Sequence, residues 1–198
     1  MKKVTILLAV LLLAISGSSF AQDQKEPAGK SMKPALLVID IQNAFMPMMA
    51  EREKEVAMAY INALIELFRG KGFPVIRIYH KSEEYGVLPD TEPFEFPSTV
   101  VIHPDDPKVI KTYGDGFNKT DLDEVIKKTG SNTLFLCGLS AVGCVLATKT
   151  GAENHDYQAF LVKNALMSHN SDYTKNIEEI FDAVSYEVVK LLLENCKK

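Results

Sequence analysis

Five short apolar runs, separated by helical periodicity and by glycine or proline breaks, frame this chain. Ala35–Asp40 is apolar without alternation and closes on a carboxylate; such a run suits a strand buried on both faces of a parallel sheet. Pro74–Tyr79 is a second strand, ending at His80. Lys108–Lys111 is a short third strand ending on a charged residue, and Thr133–Cys137 and Tyr157–Val162 supply two more. A further short strand is expected around Val184. Between the runs the period changes. Glu51–Arg69 places Val56, Tyr60, Ala63, Leu64, Leu67 and Phe68 on one stripe, with Gly70 closing the helix. Thr120-x-x-Asp123 reads as a capping box for a helix through Lys128. Cys144–Glu153, Tyr173–Asp182 and Tyr186–Asn195 complete the helical stretches. Strands alternating with helices call for an α/β fold, a mostly parallel sheet with helices on both faces.

The first residues do not belong to that pattern. Met1-Lys2-Lys3 is a short positive region, Val4–Ile15 is apolar but for Thr5, and Ser19-Phe20-Ala21 reads as a small-x-small cleavage site. Residues 1–21 are therefore expected to be a signal peptide, cleaved near Ala21–Gln22. Residues 22–33 read as a polar lead-in, and residues 34–198 as one domain. The apolar core is short for a membrane span, so a periplasmic or secreted protein with no stable membrane association is expected. Removing the leader leaves about 175 residues, enough for a sizeable core. A net charge of −4 gives no reason to expect nucleic acid as a partner. The chain has 3 cysteines, Cys137, Cys144 and Cys196, an odd number for an oxidising compartment. All three are expected to be reduced.

Candidate chemistry collects at the strand ends. Thr133-Leu-Phe-Leu-Cys-Gly-Leu-Ser-Ala-Val-Gly-Cys-Val-Leu-Ala reads as a buried strand, a turn punctuated by Gly138 and Gly143, and a helix opening near Cys144. A thiol at a helix start is expected to ionise readily. Asp40, Lys111 and Cys144 then share one edge of the sheet, where open α/β folds bind ligands. A thiolate can attack a carbonyl carbon, a carboxylate can take and return the thiol proton, and a lysine can hold the carboxylate charged. The long, proline-rich stretch Lys81–Asp106 is expected to be functional. Gly138-x-Ser140-x-x-Gly143 is one residue longer than a serine-hydrolase elbow, and a Ser140 nucleophile would need His155 or His169 as its base. Gly138 to Gly143 also begins like a phosphate loop, but Cys144-Val145 replaces the Lys-Ser/Thr pair; a dinucleotide fingerprint is absent.

Three segments, Ala35-Leu-Leu-Val-Ile-Asp-Ile-Gln-Asn-Ala-Phe, Val109-Ile-Lys-Thr-Tyr-Gly-Asp-Gly-Phe and Cys137-Gly-Leu-Ser-Ala-Val-Gly-Cys-Val-Leu-Ala-Thr, closely resemble the isochorismatase-like cysteine hydrolases. That superfamily includes nicotinamidases and N-carbamoyl amidases, and the resemblance runs from about Lys33 to Val189. It implies a three-layer α/β/α sandwich with a six-stranded, mostly parallel sheet. It also implies a catalytic triad of Asp40, Lys111 and Cys144, a cis peptide between Leu139 and Ser140, and an oxyanion hole from the backbone N–H groups of Ser140 and Cys144. Gln42, Phe45, His80 and Phe117 are the expected pocket residues. The implied activity is hydrolysis of an amide or carbamoyl C–N bond in a small molecule, by a homo-oligomer (dimer or tetramer), without a cofactor. The Asp-x-His metal motif of nicotinamidases is missing at Arg77-Ile-Tyr-His-Lys-Ser, so no metal is expected. Ala141 and Gly143 also depart from the usual Thr and polar residue and touch the pocket wall. The alternatives are a non-catalytic binding protein on the same fold and a metal-dependent nicotinamidase.

Overall fold

The computed structural model describes residues 31–196; the leader and most of the lead-in expected from the sequence lie outside the described residues. Strands β1 (Pro34–Ile39), β2 (Val75–His80), β3 (Lys108–Lys111), β4 (Thr133–Leu139) and β5 (Gln158–Met167) form one sheet in the order β3-β2-β1-β4-β5. Every pairing is parallel. Of the three inner strands, β1 and β4 are buried at every position, as their uninterrupted apolar runs require.

Helices α1 (Glu51–Gly70) and α5 (Tyr186–Asn195) cover one face, with Ala57, Ile61, Leu64, Phe68, Val189 and Leu193 packed on Leu36, Val38 and Phe135. Helices α2 (Leu122–Thr129), α3 (Leu146–Asn154) and α4 (Ser171–Ile180) cover the other. There Leu122, Ile126, Val145, Ala152 and Ile177 pack on Leu37, Ile39, Leu134 and Leu136. The three-layer α/β/α arrangement matches the expectation.

Among the described residues the sheet has five strands rather than six. Val184 makes only an isolated parallel bridge to Val162, because Ser185 already caps α5 by accepting from the Val188 N–H. Too few residues separate α4 from α5 to build a ladder. The buried stripe of α1 is Ala57, Ile61, Leu64, Ile65 and Phe68, rotated from the expected one, and Val56 is 45% exposed. Apolar residues cover more than half of this helix, so the period alone leaves its orientation open. Thr120 and Asp123 do not form a capping box. Thr120 Oγ1 accepts from the Leu122 N–H at 3.2 Å and donates to the Gly116 carbonyl. The Asp123 carboxylate accepts instead from Tyr157 and Lys127.

Residues 81–106 are anchored rather than free. Phe94 and Phe96 stack on Tyr79 at ring distances of 5.1 and 4.2 Å, and the Lys108 ammonium sits 4.5 Å from the Tyr79 ring centre. Ser82 and Val87 exchange backbone hydrogen bonds of 3.0 and 2.8 Å, a small hairpin that carries Tyr85 out at its tip.

Candidate active site

From β1 the chain steps outward through β2 to β3, then jumps to the other side of β1 to form β4. The crevice between β1 and β4 is thus the switch point at which open parallel sheets bind ligands beyond their carboxyl ends. Asp40 follows β1 and Ser140 follows β4, while His80 and Lys111 end β2 and β3.

Asp40 takes a left-handed conformation (φ 54°), which Asp adopts more readily than most residues, and its N–H stays on the Ile78 carbonyl at 2.9 Å. Gly138 stands beside β1 with φ 118°; a side chain there would collide with the Ile39 carbonyl. Glycine is thus required where β4 passes closest to the strand that delivers Asp40. The Leu139–Ser140 peptide is cis. The chain then makes a wide turn, Ala141–Val145, in which the Ser140 carbonyl accepts from the N–H groups of Gly143 (2.9 Å) and Val145 (3.2 Å). Gly143 is non-helical within it (φ −124°, ψ −108°). Cys144 therefore lies in this turn and not in the first turn of α3, which begins at Leu146.

The Lys111 ammonium is the hub. It donates to Asp40 Oδ2 at 2.6 Å, to His80 Nδ1 at 3.1 Å and to the Tyr113 carbonyl at 3.2 Å. All three of its N–H donors are used, and the residue is 1% exposed. Because an ammonium only donates, His80 Nδ1 must accept, which leaves the His80 proton on Nε2 and the ring neutral. Burial, and then the Lys111 charge, also hold the His80 pKa below its usual value. Asp40 Oδ1 is buried with no hydrogen-bond partner among the described residues. It is the free acceptor of the cluster.

The charges set the resting protonation. Burial holds the Asp40 carboxyl above its ordinary pKa, with Lys111 pulling against it. Burial also pushes the Cys144 thiol up to about 11, with the Asp40 charge adding to the rise and Lys111 opposing it. The easily ionised thiol expected at a helix start is not found; Cys144 sits short of that start and beside a carboxylate. At neutral pH it rests as the thiol, so it needs a base.

Asp40, His80, Ser140 and Cys144 form the polar part of a cavity of about 200 Å³. Phe45, Met48, Met49, Tyr85 and Leu139 form its apolar wall. Of the expected pocket residues, Phe45 and His80 are there, with their rings edge to face at 5.9 Å. Gln42 is instead a buried bracket: its amide donates to the His80 and Phe94 carbonyls (3.0 and 2.9 Å) and accepts from the His80 N–H at 2.6 Å. It fixes the end of β2 rather than lining the cavity. Phe117 stacks on His155 and Tyr157 at 4.6 and 6.0 Å, in the core beneath α2 and α3. His155 and His169, the candidate bases for Ser140, are engaged with Phe117 and Tyr173. Met48, Met49, Tyr85 and Leu139 were not expected in the pocket; Tyr85 carried a signal from its place in the long loop, and Leu139 from the expected cis peptide to Ser140. A larger, open cleft of about 450 Å³ holds Arg52, Glu53, Lys163 and Glu178 of mixed charge and no cysteine or histidine.

Ligand-type atoms of Asp40, His80 and Cys144 lie within 4.8 Å of one another. Asp40 Oδ2 and His80 Nδ1 already accept from Lys111, so a dication held by the remaining atoms would sit against a buried ammonium, whose charge opposes it.

Residues 34–187 match the model of the isochorismatase domain. The chain is 32% identical over 139 residues to the isochorismatase-family protein YddQ of Bacillus subtilis, covering 68% of this chain and 77% of that one. It is 27% identical over 161 residues to streptothricin hydrolase of Streptomyces noursei, covering 79% and 64% of the two chains. Among solved structures, N-carbamoylsarcosine amidase from Thermoplasma acidophilum superposes with a TM-score of 0.66 at 25% identity, over 78% of this chain and 95% of that one. This chain belongs to the isochorismatase family of hydrolases, some of whose members act on amides.

Proposed function

We propose that the protein is a cysteine hydrolase that cleaves the C–N bond of a small amide or carbamoyl compound. The observation that carries this is the Asp40 carboxylate: Oδ2 is held by Lys111 at 2.6 Å, while Oδ1 is buried and unpartnered in the cavity that holds Cys144. In the first half-reaction Asp40 Oδ1 takes the Sγ proton as Sγ bonds to the carbonyl carbon. The carbonyl oxygen becomes an oxyanion between the backbone N–H groups of Ser140 and Cys144. Asp40 then returns the proton to the nitrogen, the C–N bond breaks, and a thioester remains. In the second, Asp40 takes a proton from water, the hydroxide adds to the thioester carbon, the C–S bond breaks, and the thiol is restored. Lys111 keeps Asp40 charged and in place, and His80 fixes Lys111. Cys137 takes no part; it is fully buried, and burial raises its pKa far above the ordinary thiol value.

The leader-like N-terminus adds export to this proposal, with the hydrolase working in the periplasm or outside the cell as a homo-oligomer. The direct test is ammonia release from a panel of small amides, ureas and carbamoyl amino acids. At least one compound is expected to turn over in the wild type, with and without a chelator. Turnover that vanishes on chelation and returns with zinc or manganese would count against a mechanism run by these side chains alone.

A further inference from the structure

The cavity wall limits what the acyl side of the substrate can be. Phe45, Met48, Met49, Tyr85 and Leu139 line it, and among the described residues the only formally charged side chain on its surface is Asp40. The nearest cation offers nothing to an incoming anion, since each Lys111 proton is committed to Asp40, His80 or the Tyr113 carbonyl. His80, accepting from Lys111, stays a neutral ring. Apart from the Ser140 hydroxyl and the neutral His80 ring, a substrate carboxylate would lose its water against sulfur and carbon, face the negative Asp40, and find no counter-ion. A cationic group fares little better, because Lys111 stands directly behind the Asp40 carboxylate. The space, about 200 Å³, is below the roughly 300–1,000 Å³ of ordinary ligand pockets, so the group that enters it is small.

We infer that the substrate is a small, uncharged amide with an apolar acyl group, and that the site rejects amides carrying a carboxylate, carbamoyl amino acids among them. This rests on Cys144 being the nucleophile, so the test separates the two statements by labelling Cys144 with a matched neutral and anionic pair, iodoacetamide and iodoacetate. The rates are compared with those of the same reagents on N-acetylcysteine amide, and the labelled residue is identified by peptide mass. Iodoacetamide is expected to modify Cys144 with its advantage over iodoacetate enlarged at least about tenfold relative to the free thiol, from the uncompensated charge. Met48→Arg, at a residue 57% exposed, is expected to raise the iodoacetate rate several-fold by supplying the missing cation.

A rate ratio equal to that of the free thiol, with Cys144 labelled, would overturn the charge selection and leave the cysteine mechanism standing. An iodoacetate rate unmoved by Met48→Arg would count against it equally. Failure of both reagents to reach Cys144 while Cys196 is modified would remove the nucleophile itself, and the substrate class with it. In turnover, 3-methylbutanamide is expected to exceed succinamate in kcat/KM by at least about tenfold; the reverse order overturns the inference.

Discussion

Cys144→Ala is expected to lower turnover by about four orders of magnitude or more, the scale seen when a nucleophile is removed from a residue set that acts as a unit. The fold should hardly notice. Cys144 is only part-buried and stands in a turn shaped by the Ser140 carbonyl, which accepts from Gly143 and Val145, so no structural hydrogen bond depends on the thiol. A melting temperature within about 2 °C of wild type is expected. Cys137→Ala is the converse control. Its sulfur is fully buried in β4, 3.5 Å from the Leu37 carbonyl, and losing it should cost about 1–2 kcal/mol of stability while sparing turnover. Full activity in Cys144→Ala, with Cys137 and Cys196 untouched, would end the cysteine mechanism.

Asp40→Asn and Lys111→Met are expected to shift the reactivity of Cys144 in opposite directions while both lose turnover. The sign follows from the causes that set the thiol. Burial pushes Cys144 up to about 11, the Asp40 charge adds to that rise, and the Lys111 charge lowers it. Neutralising Asp40 leaves Lys111 facing the sulfur alone. The thiol pKa should fall, and iodoacetamide at pH 7 should label Cys144 faster by about tenfold. The same change removes the base, so turnover collapses. Lys111→Met withdraws the cation, raises the thiol pKa further and slows labelling. In the wild type the labelling rate should keep climbing with pH and level off only near 11. Equal labelling profiles in all three proteins would reduce Lys111 and Asp40 to a strand-end ion pair.

Lys111→Met also carries a stability signature. Asp40 is left buried without its partner, a loss of about 3–5 kcal/mol at neutral pH. Its folded pKa, already raised by burial, rises further above the unfolded value. The variant should therefore be most stable below the unfolded carboxylate pKa and lose stability as pH climbs through the raised one. Thermal melts across pH 4 to 8 measure this.

Much of the frame was legible because it rests on burial. The uninterrupted runs at Ala35–Asp40 and Thr133–Cys137 could only be inner parallel strands, and their ends placed Asp40 and Cys144 at one edge. Lys111 was legible as a lysine closing a strand. The illegible parts depend on tertiary choices that periodicity does not encode. β5 continues to Met167, past the expected Val162, because an irregular register between Leu136 and Gly138 absorbs the polar Lys163 and Asn164. Gln42 and Phe117 were expected in the pocket. Hydrogen bonds to β2 and stacking on His155 take them elsewhere. The thiol's environment was read from a helix start that begins two residues too late, at Leu146. Met48 and Met49 carry no motif, and only the folded chain brings them to Cys144.

The most direct test of the mechanism is acid quenching of the wild type within its first turnovers of a neutral amide such as 3-methylbutanamide, followed by mass analysis of the Cys144 peptide. The expected result is an added acyl mass on Cys144, as a thioester that hydroxylamine removes and that is absent in Cys144→Ala and Asp40→Asn. Steady turnover with Cys144 unmodified at every quench time, or the acyl mass found on Ser140, would contradict it.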